Sequence, residues 1–583
     1  MADLEKGYDH AKLDTKTEII EIQVPDATKS TSSFQRWTVR LCRLAGVETQ
    51  DIERVAVDSR QPAGPDDYTR IFLLWLNSSL TANNIIVGLY GPSYYGLDLV
   101  TASVCGVFGS ILGSIAVAYM STWGPRSGHR TLVVTRYFLG YYPSKICCLL
   151  NILTMLGYGM VNCILGGQII FTISHGQTPV TVGIVVVAVL TWCIATFGMN
   201  LFHLWSRYAW ILSLSVLFIM LGCAGPAFNP AHRLSPDLPQ DTSAHRLSFF
   251  SLCFASAITW TPSSADYFVY FPASTRPLRM FLSAATGMGL AMILTTILGI
   301  GLATAIYSNP SWMSAFSSSP GGLLALSFSA LGSFGNLCAF ILVLTAVSNN
   351  IPATYSAGLN LQMLAKCGPR IPRPLLTTIE VVAYTVSAVA ARAYLRDIME
   401  DFLPLMSYWI VAWFGVVLEE AVLRAYRDKG AYDWEAWDDA ARLPSGWAAG
   451  GSLVAGCLGA FLGMVCTVFV LCSLSGCPAF TDVFHRINRS SVGLSRRRFR
   501  TGVIWGCGWR SYSLLACTLL SGRLSYGYWD GDCTANRSGC NYRNARHNYN
   551  NIVIKEHIEG KIEGRRVSRR AITTEYGIRQ KQE

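Results

Sequence analysis

Eleven apolar stretches, each close to the length of a bilayer crossing, constrain this chain more than any motif in it. A helix needs about 20 mostly apolar residues to span the hydrocarbon. The stretches are 71–91, 97–120, 145–173, 178–200, 206–226, 247–271, 279–306, 323–348, 375–395, 403–425 and 447–474. Lipid offers no hydrogen bonds, so backbone crossing it must satisfy its own N–H and C=O groups, and a lone apolar run does so as a helix. Charged residues make up 14% of the chain, against about 25% in soluble domains. The expectation is an all-α polytopic membrane protein rather than one soluble domain of 583 residues, since a single core stops growing near about 250–300 residues.

Three regions follow: a polar tail over 1–66, a membrane core over 67–475, and an atypical C-terminal region over 476–583. The tail begins MADLEKGYDHAKLDTKTEIIEIQVPD. It lacks the apolar segment of a secretory signal, and its mixed charges do not suit a mitochondrial presequence. With this tail on the cytoplasmic side, the basic residues sort inward. The inner connections carry Arg126, Arg130, Arg136 and Lys145, then Arg207, Arg276 and Arg279, Lys366, Arg370 and Arg373, and Arg424, Arg427 and Lys429. Arg392 and Arg396 break the pattern. The net charge of +11 is therefore read as topology and not as nucleic-acid binding. Cysteines such as Cys147, Cys148, Cys163, Cys338 and Cys457 sit in apolar runs, where they read as small buried hydrophobes.

The C-terminal region breaks this consistency. Its apolar piece, TGVIWGCGWRSYSLLACTLL, holds Arg510 near the middle. An arginine at a helix centre costs about 2.5–3.5 kcal/mol on insertion scales. Without a twelfth span, a strongly basic tail would lie on the wrong side. Either 501–520 spans with Arg510 paired or snorkelling, or the last ~95 residues come from a shifted reading frame or an unspliced intron, which is the favoured reading. The sequons at Asn488 and Asn536 are short patterns of little weight.

Four spans carry polar or helix-breaking residues at mid-depth. The first, WLNSSLTANNIIVGLYGPSYYGL, has Asn84, Gly88, Gly91 and Pro92. The third, LGYGMVNCILGGQ, has Tyr158 and Asn162 four apart, on one helix face. The sixth, FASAITWTPSSADYFVYFP, has Trp260, Pro262 and Asp266. The eighth, LVLTAVSNNIPATYSAGLNLQML, has Asn349, Asn350 and Pro352. Interrupted first and sixth helices are a pattern of transporters built from two inverted five-helix repeats, whose breaks bind substrate near the midplane. Each residue also has a structural reading. Asn162 would serve as interhelical glue, Trp260 as an interfacial belt residue, and Tyr158 as a packed phenol. The glycines would permit close helix approach.

At these residues the chain resembles a family. GPRSGHRTLVVTRYFLGYYPSKICCLLNILTMLGYGMVNCILGGQ is similar to the second loop and third helix of fungal purine–cytosine permeases, in the nucleobase–cation symporter-1 family. FVYFP and SNNIPATYSAGLNLQ support it, and the likeness covers roughly residues 60–475. The resemblance implies a five-plus-five inverted-repeat (LeuT-like) fold with two further helices, nominally twelve in all. It implies a substrate site between helices one, three, six and eight. The residues carried over are Tyr158, where the family often has tryptophan, Asn162, Trp260, Asn349 and Asn350. Asn84, Gly88, Gly91, Pro262 and Pro352 are secondary candidates for the substrate path or the helix breaks.

The chemistry fits independently. A nucleobase is a flat ring with donors and acceptors on its edge; stacking on an aromatic side chain contributes about 1–3 kcal/mol per base. An asparagine presents both a donor and an acceptor to such an edge. Tyr158 and Trp260 would clamp the ring while Asn162 and Asn349 read it.

Family resemblance favours proton symport; no cofactor is expected, and with no CxxC pair at metal spacing no metal site is expected. Sodium-driven members place hydroxyls on the eighth helix; here Val343 and Leu344 stand there, with Thr345 one position on. Asp266 is the guess for a proton carrier, ranked below its pairing with an arginine. Glu419 and Glu420 are expected to be solvated or paired with Arg424.

The leading expectation is a multi-pass plasma-membrane importer of cytosine and purines (adenine, guanine, hypoxanthine), with partners limited to nucleobase and lipid. Alternatives are a permease for uracil, allantoin, vitamin B6 or thiamine, and a defective non-transporting relative. An enzyme is disfavoured because the histidines are scattered and no nucleophile–base spacing stands out. Oligomeric state is left open.

Overall fold

The computed structural model describes residues 52–474, apart from 198, 230–242, 307–308, 365–367, 369–370 and 428–431. The tail before residue 52, the segment 501–520 with Arg510, and both sequons lie outside the described residues. Within them the chain is helical, with no strand.

The first expected span is two helices, α1 (Asp67–Ser79) and α2 (Ala82–Ser93), bent by 57° at Leu80–Thr81. The chain continues through α3 (Leu99–Ser121), short α4 (Trp123–Ser127) and α5 (Thr131–Leu139), then α6 (Tyr141–Ile173), α7 (Val180–Phe197) and α8 (Met199–Ala224). The sixth span is α9 (Ser243–Ile258) followed by a 3-10 run, Thr261–Phe268. Then come α10 (Pro277–Ile306), α11 (Pro310–Ser318), α12 (Pro320–Leu326), α13 (Ser333–Leu364), α14 (Arg373–Ala391), α15 (Leu395–Arg427) and α16 (Trp447–Leu474).

Seven described helices are long and apolar enough to cross a membrane, or eight with the bent pair as one span. Val180–Thr196 and Trp447–Ala460 are shorter apolar helices. Burial separates inner helices from outer ones. The most apolar windows of α6, α10 and α13 are 72–78% buried, while that of α8 is 28% buried. Outer faces, such as Val100, Val104, Phe108, Ile111 and Ile115 on α3, expose large apolar side chains, as a lipid-facing surface would.

Small residues bring neighbouring helices together. A Cβ on Gly109 would lie 2.6 Å from the Phe250 carbonyl oxygen, and one on Gly113 would lie 2.5 Å from the Ala257 Cβ. Helices in lipid gain little from the hydrophobic effect, so close backbone approach carries much of their packing.

The eighth span departs from the expected 323–348. The chain from Pro320 to Leu331 forms separate short turns, and Gly332, at φ +55°, redirects it. The long helix therefore starts at Ser333 and ends at Leu364. Asn349 and Asn350 fall in its middle rather than at its end. Cys147, Cys148, Cys163 and Cys338 are buried free thiols and Cys457 is half-buried, as the apolar reading of the cysteines expects. Arg424 pairs with Glu420 at 3.4 Å, one turn apart.

Candidate functional site

The two chain breaks and the middles of α6 and α13 meet in the buried centre. The α1–α2 break frees backbone groups that the neighbouring helix supplies. Asn84 Nδ2 donates to the Ser79 carbonyl at 2.8 Å, bridging the break from within. The Ala82 N–H donates to Thr345 Oγ1 at 3.2 Å. Asn349 Nδ2 donates to the Ser78 carbonyl at 2.7 Å. Unsatisfied backbone groups in a membrane cost several kcal/mol each, so these contacts let the break exist. Thr345, one position beyond Val343 and Leu344, is the residue that faces the break, whereas the Val343 side chain packs toward Gly166.

Three amides interlock across α6 and α13. Asn162 Nδ2 donates to Asn349 Oδ1 and to Asn350 Oδ1, both at 2.8 Å. Asn350 Nδ2 points back to the Gly159 carbonyl at 3.4 Å. All three are at most 2% exposed. Asn162 Oδ1 is buried without a hydrogen-bond partner.

One turn before Asn162, the Tyr158 hydroxyl meets Thr259 Oγ1 at 2.6 Å and the Ser256 carbonyl at 3.2 Å. Its ring lies 5.3 Å from that of Trp260, tilted by 45°. Trp260 lies just past the end of α9 and caps the 3-10 run; Pro262, with no N–H to give, stands at the start of that run. A ring sandwiched between two others would hold them about 7 Å apart, twice the usual carbon contact distance. Tyr158 and Trp260 touch each other instead, so the expected clamp is closed in this conformation.

Trp75 completes the aromatic group and was not singled out from the sequence. Its ring lies 6.5 Å from Trp260 and 5.7 Å from Tyr267, edge-on to both, and its Nε1 is buried without a partner. The available signal was position: Trp75 precedes the polar run NSSLTANN by one residue.

Gly88, Gly91 and Pro352 are not at breaks. Gly88 and Gly91 lie inside α2. A Cβ on Gly88 would fall 2.2 Å from the Thr296 carbonyl oxygen, and one on Gly91 would fall 2.8 Å from the Phe249 ring. They are close-packing positions against α10 and α9. Pro352 lies within unbroken α13, and its carbonyl accepts the Tyr267 hydroxyl at 3.1 Å. Proline there has no N–H to give the carbonyl one turn back, at Ser348, a loss that membrane helices tolerate.

Asp266 is held structurally. Its Oδ1 accepts the Thr131 N–H and its Oδ2 accepts the Ser356 hydroxyl, each at 2.7 Å. Arg130 Nη1 donates to the Asp266 backbone carbonyl at 2.6 Å. The carboxylate thus ties the 3-10 run to α5 and α13.

Comparison with known proteins agrees with this architecture. The purine-cytosine permease fcyB of Emericella nidulans is 29% identical over 431 residues, 73% of this chain and 83% of that protein. The purine-cytosine permease FCY2 of Saccharomyces cerevisiae is 27% identical, over 74% of this chain and 82% of that protein. The vitamin B6 transporter TPN1 of the same yeast is 29% identical, over 70% and 72%. Among solved structures, the chain is similar to Mhp1, a nucleobase-cation-symport-1 family transporter, in a closed conformation with bromovinylhydantoin bound. That likeness has a TM-score of 0.53 at 13% identity, over 70% of this chain and 94% of the other. It shows the fold, the five-plus-five arrangement of LeuT-like transporters. The profile of one family matches residues 65–472, and by that match the chain belongs to the permeases for cytosine/purines, uracil, thiamine, allantoin.

Proposed function

We propose that this protein is a secondary active transporter that imports cytosine and purines across the plasma membrane by proton symport, with its N-terminus in the cytoplasm. The observation that carries this reading is the amide cluster. Asn162 keeps one carbonyl oxygen unbonded, one helical turn from Tyr158 and its contact with Trp260. A flat ring with polar edges finds there an acceptor, amide groups able to re-pair, and aromatic faces. The present conformation is closed, so loading requires Tyr158 and Trp260 to part. In alternating access the two breaks are where such motion is cheapest, because fewer backbone hydrogen bonds resist it.

Asn162 and Asn349 are the proposed edge readers, with Asn350 holding Asn162 in register. Tyr158, Trp260 and Trp75 are the proposed ring contacts. Asn84 and Pro262 shape the breaks.

A second reading has one specific support: a relative named as a vitamin B6 transporter is as similar to this chain as a purine-cytosine permease is. A pyridine ring bearing hydroxyl groups would suit the same amides and rings.

Labelled uptake in a fungal strain lacking its own permeases tests both. Saturable cytosine or adenine accumulation that rises at acid pH and falls in Asn162→Ala supports the first reading. Pyridoxine accumulation without base accumulation supports the second.

A further inference from the structure

Glu380 lies in the middle of α14, a helix otherwise read as a plain apolar span. It is 2% exposed, and neither carboxyl oxygen has a hydrogen-bond partner. A buried charge without a partner is among the costliest arrangements in a protein. An ionisable residue kept inside a membrane helix is by default a functional candidate.

Its surroundings offer little to neutralise it. The helices packed on α14 are α6, α7 and α13. None of the three carries an aspartate, glutamate or histidine. Lys145 stands near the start of α6, with its ammonium 5.1 Å over the Tyr141 ring. Arg373, two turns before Glu380 on its own helix, donates to the Thr196 carbonyl at 3.2 Å and covers the Tyr355 ring at 4.7 Å. The weakly acidic groups on these elements are Tyr141, Tyr142, Tyr158, Cys147, Cys148 and Cys163 on α6, Cys193 on α7, Cys338 and Tyr355 on α13, and Tyr384, one turn beyond Glu380.

The same interface gathers other unbonded polar atoms. The hydroxyls of Tyr384, Thr354 and Thr377 are buried without partners, and Tyr384 lies beside Thr354 and Thr191. This polar strip reaches the amide cluster. The Tyr384 ring fills the space over Gly159, where a Cβ would lie 2.6 Å from it, and the Gly159 carbonyl accepts from Asn350.

We propose that Glu380 is the proton-binding carboxyl of the transport cycle, linked to the substrate amides through Tyr384 and Gly159. The inference rests on the symport reading above. The carboxylate takes one proton from the outer side, crosses the closed state as the neutral acid, and returns the proton inside. Only an O–H bond forms and breaks. A neutral acid in the closed state suits the absence of a partner; the charged form suits a state in which the α13–α14 interface opens to water.

The test uses the full chain in proteoliposomes with labelled cytosine. An inward gradient of about two pH units drives up to about 100-fold accumulation at one proton per substrate, each unit being tenfold. Glu380→Gln, which mimics the neutral acid, is expected to keep cytosine exchange without a gradient while losing gradient-driven accumulation. Accumulation by Glu380→Gln equal to wild type overturns the proposal alone. Wild-type exchange with no proton-driven accumulation, or no wild-type exchange, overturns the transport reading and the proposal together. If Glu380→Gln loses exchange as well, Glu380→Asp decides. Retained accumulation with a shifted pH profile supports the role, and an unshifted profile or lost accumulation overturns it.

Discussion

Asn162 on α6 and Asn349 on α13 share a 2.8 Å amide hydrogen bond, and Asn349 passes the connection to the Ser78 carbonyl at the end of α1. Three separate segments are thereby joined by side chains that can also bind a polar ring. Any ligand that recruits Asn349 or the NH2 of Asn162 must exchange hydrogen bonds with this network, so binding and helix position are coupled at one point.

Asn162→Ala removes two donated hydrogen bonds and leaves Asn349 and Asn350 with unpaired buried oxygens. Each such loss costs about 1–3 kcal/mol. Uptake affinity is expected to fall at least about tenfold, the equivalent of 1.4 kcal/mol. Uptake kinetics normalised to surface protein will measure it, and an unchanged affinity would remove Asn162 from the site.

Trp75→Ala deletes the ring that packs edge-on to Trp260. Aromatic pairs of this kind contribute about 0.5–1.5 kcal/mol beyond area burial. The expected result is a weaker substrate affinity with the protein still at the surface. Trp75→Phe should restore part of it, and competition assays with unlabelled bases provide the readout. Equal affinities in all three proteins would confine Trp75 to packing.

Gly88→Ala places a methyl 2.2 Å from the Thr296 carbonyl oxygen and 2.9 Å from its carbon. Backbone cannot rotate away as a flexible side chain does. Overpacking typically costs about 1–3 kcal/mol, occasionally more. Thermal stability of the detergent-purified protein is expected to drop, with Gly222→Ala, which meets nothing within 4 Å, as the neutral control.

Asp266→Asn separates a structural carboxylate from a proton carrier. The amide can keep the Thr131 N–H on its oxygen, but its NH2 then meets the Ser356 hydroxyl, which must turn from donor to acceptor while already accepting from Asn360 Nδ2 at 3.5 Å. Lower stability is expected, with the pH dependence of the remaining uptake unchanged. A flattened pH profile in this variant would return Asp266 to the coupling role.

His129, in the connection between α4 and α5, gives a pH-dependent stability. Its Nε2 lies 3.0 Å from the Trp434 carbonyl, and burial pulls the imidazole down from 6.5 to about 4. At a pH between those values the unfolded chain binds the proton and the folded chain does not. Stability is therefore full above about 6.5 and is lost as pH falls towards 4. The whole effect is on the order of 3 kcal/mol. Melting temperatures at about pH 7.5 and pH 5 should differ more in wild type than in His129→Gln. Equal pH sensitivity in both would remove His129 as the cause.

How much of this was legible depends on range along the chain. Asn162 and Tyr158 stood out because a polar residue in an apolar run of a membrane helix demands an explanation that neighbouring sequence does not give. The break near Asn84 was legible as a polar run, but its location was not. Gly88 and Gly91 read as break residues, whereas the bend falls at Leu80–Thr81 because Thr345 and Asn349, more than 260 residues later, satisfy the freed backbone there. Glu380 went unnoticed because a single carboxyl in an apolar stretch hardly changes its hydropathy.

The sequence by itself determined that this chain crosses a membrane as helices, and which of its apolar runs carry amides and aromatic rings. Those properties follow from local composition, because lipid leaves a lone apolar segment no alternative to the helix. Only the tertiary structure decided where α13 begins, that Tyr158 and Trp260 touch in the closed state, that Trp75 joins them, and that Glu380 is left without a partner. Each of those depends on which distant side chain supplies a hydrogen bond or fills a space, and pairing at that distance is set by packing rather than by neighbours in the chain.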